Sequence, residues 1–278
     1  MGDFAQDTEV SGGDGRYRAR LSPDWEIWGP CGGYLATVAL RAAGAHSQFD
    51  VPASLYCQFL GGAAFDDVDI ETETRRAGRR SESVRATMTQ RGRPVCEIQT
   101  WIAMEGDGLR HDWTEKPDVA GPAAVPTIQE QWSDYEAWFP FWDNFEYRPL
   151  TWIPPDERAN VHPCEPRFDA WFRYLPTARF DDPFVDAGRA ALLADIIGWP
   201  SANRAVPPEE DGRFIAPNVD VSVVFHQPMA ATEYLVLHGE APLATGGFVG
   251  GTAQVWSDDG RLLASSVQQM MCRPGPTS

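Results

Sequence analysis

Gly32 and Gly33 stand directly ahead of an apolar stretch, YLATVALRAAG over residues 34–44, that otherwise has the composition of a helix. A helix N-terminus presents unsatisfied amides and a partial positive charge, so it can bind an anion or stabilise an oxyanion. Glycines there let a carbonyl approach the backbone closely. A sharp turn, or close packing against a strand, would ask for the same two residues, and the spacing alone leaves both readings open. Other chemistry has less to stand on. The sequence contains no G-x-S-x-G elbow, phosphate loop or dinucleotide fingerprint. His46, His111, His162, His226 and His238 lack metal-ligand spacing and an evident serine or cysteine partner. His226, on an apolar strand, reads as a packed residue or a base. Cys31, Cys57, Cys96, Cys164 and Cys272 form no C-x-x-C pair, which indicates neither a disulfide framework nor a zinc site. Neither a metal nor a cofactor is expected.

The elements that must position these residues come in two similar sets. Residues 54–103 alternate as antiparallel strands, with Val68, Ile70 and Thr72 on one face, then Val84, Ala86 and Met88, then Val95 and Ile98. Residues 219–271 repeat the pattern: a strand ends in Phe225 as the first ends in Phe59, and Gly260-Arg261-Leu262-Leu263 matches Gly92-Arg93-Pro94-Val95. An apolar helix is predicted ahead of each set, over residues 32–43 and 186–198. A sheet wrapped around one buried helix accounts for an apolar surface wider than a single stripe. Three stretches follow: an N-terminal unit (1–104), a Pro- and Trp-rich connection (105–166) and a C-terminal unit (167–278). In the connection, Trp132, Tyr135, Trp138, Phe139 and Trp142 recur at near-helical intervals up to Pro140, as a lid over an apolar ligand or as packing against a sheet, with packing favoured.

The formal net charge of −17 argues against nucleic acid and against an anionic membrane surface as partners. No apolar run is long enough to cross a bilayer and the first residues carry no signal-like apolar region, so a cytoplasmic location is the expectation.

The tryptophan before Gly-Gly-Tyr-Leu, the Gly-Arg-Arg-Ser turn with a strand ending in Gln90, Val-x-Val-Val-Phe-His, and Gly-Arg-Leu-Leu-Ala-Ser-Ser-Val-Gln together resemble the acyl-CoA thioesterase II-type, double-hotdog family. The resemblance spans roughly residues 16–273. It implies an α+β double hotdog, two antiparallel sheets each wrapped around a long helix, fused in one chain and joined edge to edge. The implied activity is hydrolysis of fatty acyl-CoA to free acid and CoA, without metal or covalent intermediate. Further association into a homo-oligomer is also an expectation.

The family's catalytic aspartate falls on Asp195 in ALLADIIGW, where a carboxylate inside so apolar a helix has a raised pKa and suits a general base. Its glutamine falls on Gln268, whose neighbour Gln269 points to the opposite face. Where the family has threonine this chain has Asn218, whose amide can both donate and accept. Gly32, Gly33 and Tyr34 are expected at the acyl site. Arg79 and Arg80, clustered with Arg75, Arg76, Arg91 and Arg93 around one hairpin, would either meet the phosphates of CoA or balance Glu71, Glu73 and Glu82 on a solvated turn. Thr100 takes the place of Gln268 in the first unit and the first helix has no carboxylate, so one active site is expected. A hydratase or dehydratase acting on acyl thioesters, which would need a histidine and a carboxylate facing one pocket, and a non-catalytic acyl-binding protein are the alternatives.

Overall fold

The computed structural model describes residues 1–154, 157 and 163–275, so His162 lies outside the described residues. The strands are β1 (Ser11–Gly13), β2 (Arg16–Arg20), β3 (Val51–Phe59), β4 (Asp67–Ala77), β5 (Ser81–Gln90), β6 (Arg93–Ala103), β7 (Phe145–Pro149), β8 (Arg167–Tyr174), β9 (Phe214–Ile215), β10 (Asn218–Phe225), β11 (Tyr234–Thr245), β12 (Phe248–Ser257), β13 (Leu262–Met271) and β14 (Arg273–Pro274). The helices are α1 (Phe4–Asp7), α2 (Gly32–His46), α3 (Ile128–Gln131), α4 (Pro183–Ile196) and α5 (Gly198–Asn203).

The sheets of the two halves run on edge to edge as one twelve-stranded antiparallel sheet. Its strands run in the order β1-β2-β4-β5-β6-β3-β10-β13-β12-β11-β8-β7, and β9 and β14 form a separate pair. The join is the antiparallel pair β3–β10, with Tyr56 opposite Ser222 and Leu55 opposite Val223. Pairing two edges in this way removes the unpaired backbone groups that each half-sheet would otherwise present. The strand order reads alike outward from that seam. Phe59 faces Cys96 and Leu55 faces Thr100 on one side, as Phe225 faces Ala264 and Val221 faces Gln268 on the other. The register therefore places Thr100 and Gln268 at matching positions.

The alternation anticipated for β5 holds: Val84, Ala86 and Met88 are buried, and Arg85 and Thr87 are less so. Those inner faces close over α2 and α4, which also pack against each other, so both helices are buried around most of their circumference. α4 begins three residues earlier than the sequence pattern suggests, because Asp182 accepts hydrogen bonds from the amides of Phe184 and Val185 at 2.8 and 3.2 Å and Pro183 suits the first helical position. The near-helical spacing in the connection yields no helix over residues 132–142; a short 3-10 turn at Pro140–Asn144 leads instead into β7, which extends the sheet edge beside β8.

Candidate active site

Asp195 lies in the last turn of α4 and is 8% exposed. One carboxylate oxygen, Oδ2, accepts a hydrogen bond from the Gly33 amide at 2.7 Å and from the Cys31 thiol at 3.7 Å. The other, Oδ1, accepts from the Asn218 side-chain amide at 2.7 Å, and the same nitrogen donates to the Asp195 backbone carbonyl at 2.6 Å. Burial pushes the carboxyl up to about 6, against the lowering effect of the Asn218, Gly33 and Cys31 donors. Among the described residues no cationic side chain contributes to that balance. Cys31, the residue before α2, is itself pushed well above the usual thiol range by burial and by the Asp195 charge, which keeps it a protonated donor.

The glycines are explained by this contact between the two halves. A Cβ on Gly32 would lie 2.9 Å from both Asp195 Oδ2 and the tip of the Phe59 ring, and one on Gly33 would lie 2.5 Å from the Leu192 Cα. Both residues must lack a side chain for the start of α2 to reach the end of α4. Gly33 thus supplies its amide to an anion, as a helix N-terminus can, but the anion is a carboxylate of the other half of the same chain.

The counterpart position has no such chemistry. The helices touch where the Thr37 hydroxyl lies 3.3 Å from the Gly188 carbonyl. Seven residues beyond Gly188 is Asp195; seven beyond Thr37 is Gly44, whose Cβ position would meet the Phe184 ring at 2.6 Å. An aromatic ring therefore fills the place that corresponds to the carboxylate.

Gln268 is 2% exposed, and its Nε2 lies 2.5 Å from where a Cβ on Gly198 would be. Its two amide atoms, and Oδ1 of Asn218, are buried with no hydrogen-bond partner among the described residues. Unpaired amides in a protein interior are costly enough to call for a polar ligand. Asn218 lies opposite Met270, two residues along β13 from Gln268, and the register shifts between Asn218 and Asp220. The structure thus brings Asp195 and Asn218 into direct contact and sets Gln268 on the neighbouring strand.

Asp195, Asn218, Gly32 and Cys31 line one cavity of about 1010 Å³, together with Met270, Phe59 and a large part of the Trp-rich connection. The aromatics of the connection do both: Tyr135, Phe139, Trp142 and Trp152 pack against the core and also line the cavity. Phe141 and Phe145 are buried in the core, and Trp138 is cavity wall.

Tyr34, Arg79 and Arg80 stand away from this cavity. Tyr34 is fully buried away from the cavity, with its hydroxyl donating to the Asp7 carbonyl at 2.7 Å and its ring stacked on Trp25. The arginine cluster is split by the length of β5, about 30 Å for a strand of this size. Arg79 and Arg80 sit at the end of β5 away from Phe59 and do not line the cavity, whereas Arg91 and Arg93 lie near Leu60, at the cavity end. Among the described residues no histidine lines the cavity. His226 meets Ser265 at 3.0 Å, and His238 pairs with Asp169 at 2.6 Å, on the face opposite to the neighbouring cavity residue Phe168. Cys31 was missed as a site residue: its one sequence signal was its position next to Gly32-Gly33.

The family described as the acyl-CoA thioesterase N-terminal domain matches residues 21–103, and that described as the acyl-CoA thioesterase C-terminal domain matches residues 118–272. Among solved structures, a protein of unknown function with a hot dog fold from Alicyclobacillus acidocaldarius superposes with a TM-score of 0.81 at 21% identity, covering 99% of this chain and 98% of its own. An acyl-CoA thioesterase II from Mycobacterium marinum superposes with a TM-score of 0.77 at 18% identity, covering 99% of each chain. At such identities the likeness is one of fold.

Proposed function

Because the chain belongs to the acyl-CoA thioesterase family through both its N-terminal and its C-terminal domain, we propose that it hydrolyses acyl-CoA, fatty acyl-CoA included, to the free acid and CoA, with Asp195 as general base. The observation that carries this reading is a buried carboxylate on a cavity wall, held by three neutral donors and pushed up to about 6. At neutral pH it is ionised yet basic enough to take a proton from water. The water oxygen adds to the thioester carbonyl carbon as Asp195 receives the proton. The tetrahedral intermediate then collapses, its carbon–sulfur bond breaks, and the proton held by Asp195 leaves with the thiolate as CoA thiol.

Asn218 and Gln268 supply the positioning. The unpartnered Asn218 Oδ1 suits a water hydrogen, and the Gln268 amide nitrogen suits the carbonyl oxygen or the attacking water. An asparagine in the family's threonine position thereby acts on the base itself, fixing Oδ1 through a 2.7 Å hydrogen bond. Each stretch of the chain contributes: the first unit the Gly33 amide, the connection the aromatic wall, the second unit the carboxylate and both amides.

Reaction in oxygen-18 water tests this. One heavy oxygen in the released acid, with one free thiol per acid formed, supports hydrolysis. Water added across an acyl double bond with the thioester intact would mark a hydratase, and binding without thiol release would mark a carrier.

A further inference from the structure

Asp195 accounts for the thioester; the cavity beyond it bears on the acyl group. Eleven of its 41 lining residues are aromatic, more than twice the 12% aromatic content of the chain. The first lies beside the base, since the Gly32 Cβ point that is 2.9 Å from Asp195 Oδ2 is also 2.9 Å from Cζ of Phe59. Tyr135, Trp138 and Trp142 line the same cavity. Trp28 stands edge-on to Phe139, with ring centroids 6.4 Å apart.

Two of these rings are about half exposed, each touching one other ring, Trp28 on Phe139 and Trp138 on Trp152. Trp28 and Trp138 are 54% and 53% exposed, although Trp25, Trp171 and Trp256 are fully buried. Trp28 also adopts a φ of 150°, unfavourable for a side-chain-bearing residue, and such strain is retained where the surrounding structure holds a side chain for a purpose.

A linear alkyl chain gains from these walls only through loss of apolar surface from water. A ring gains that burial and also the offset or edge-to-face contacts that aromatic pairs prefer. We infer that the acyl group selected by this cavity carries an aryl ring, seated against Phe59 and the half-exposed rings of Trp28 and Trp138. The inference rests on the thioesterase reading for the placement of the thioester at Asp195, but ring selection is measurable without turnover.

The test compares 4-phenylbutyryl-CoA with decanoyl-CoA, which have the same number of acyl carbons. The expected kcat/KM ratio is at least about tenfold in favour of the ring, the equivalent of about 1.4 kcal/mol. Trp28→Leu and Trp138→Leu should each pull that ratio toward one. The corresponding non-hydrolysable thioethers, 4-phenylbutyl-CoA and decyl-CoA, titrated calorimetrically against the unmodified protein, should show the same preference. Ring preference in binding without any thiol release would keep this inference and overturn the hydrolytic one. Thiol release with equal ratios, or with decanoyl-CoA preferred, would overturn this inference alone. Equal losses in both thioethers and in free CoA on Trp28→Leu would assign that ring to the adenine of CoA and also overturn it.

Discussion

Replacing Asp195 by asparagine should change the pH dependence of stability as well as activity, and the size of that change follows from the site. A carboxyl that ionises near 3.8 in the unfolded chain and at about 6 in the folded one makes ionisation destabilising. The penalty is absent below about pH 3.8, grows through the interval, and is complete above about 6. At about 1.36 kcal/mol per pH unit it reaches about 3 kcal/mol. The asparagine variant lacks this titration. Its own defect, an amide N–H turned toward either the Gly33 amide or the Asn218 nitrogen, costs about 1–3 kcal/mol at every pH and cancels when two pH values are compared. Urea unfolding of both proteins at pH 5 and pH 8 should therefore show the difference moving in favour of the variant by about 1.4 kcal/mol, the part of the penalty that accrues above pH 5. A difference that stays constant, or that moves in favour of the wild type as pH rises, would refute the picture of a desolvated carboxylate without a cationic partner.

Gly33→Ala places a methyl 2.5 Å from the Leu192 Cα, so α2 and α4 must separate; thermal denaturation should show a loss of about 1–3 kcal/mol, and thiol release should fall with it. Cys31→Ala removes a donor from Asp195 Oδ2 and should move the acid limb of the kcat/KM profile upward from about pH 6 by at most about one unit, while Cys31→Ser, which restores a donor, should not. An unmoved limb in the alanine variant would remove Cys31 from the site.

The halves were legible because β-alternation and turn spacing are local. Val84, Ala86 and Met88 give the inner face of β5 directly, and matching Phe59 with Phe225 leads to the correspondence of Thr100 with Gln268 that the strand register displays. The edge-to-edge join came from the resemblance alone, and its register was not legible, since pairing Tyr56 with Ser222 joins residues far apart in the chain and neither carries a mark of its partner. The same limit hid the purpose of Gly32-Gly33: an N-terminal amide pair announces an anion, but here the anion belongs to residue 195. Around β5, closeness in sequence becomes separation along an extended strand, which sets Arg79 and Arg80 apart from Arg91 and Arg93, while Arg75 pairs with Glu73 as the solvated-turn alternative has it.

Thiol release from acyl-CoA by wild-type protein and by Asp195→Asn, measured at pH 8 with binding of a non-hydrolysable thioether followed in parallel, addresses the general base directly. The account predicts release reduced by at least about a hundredfold, the low end of what general-base removal costs, with thioether affinity preserved. Equal rates in the two proteins would contradict it.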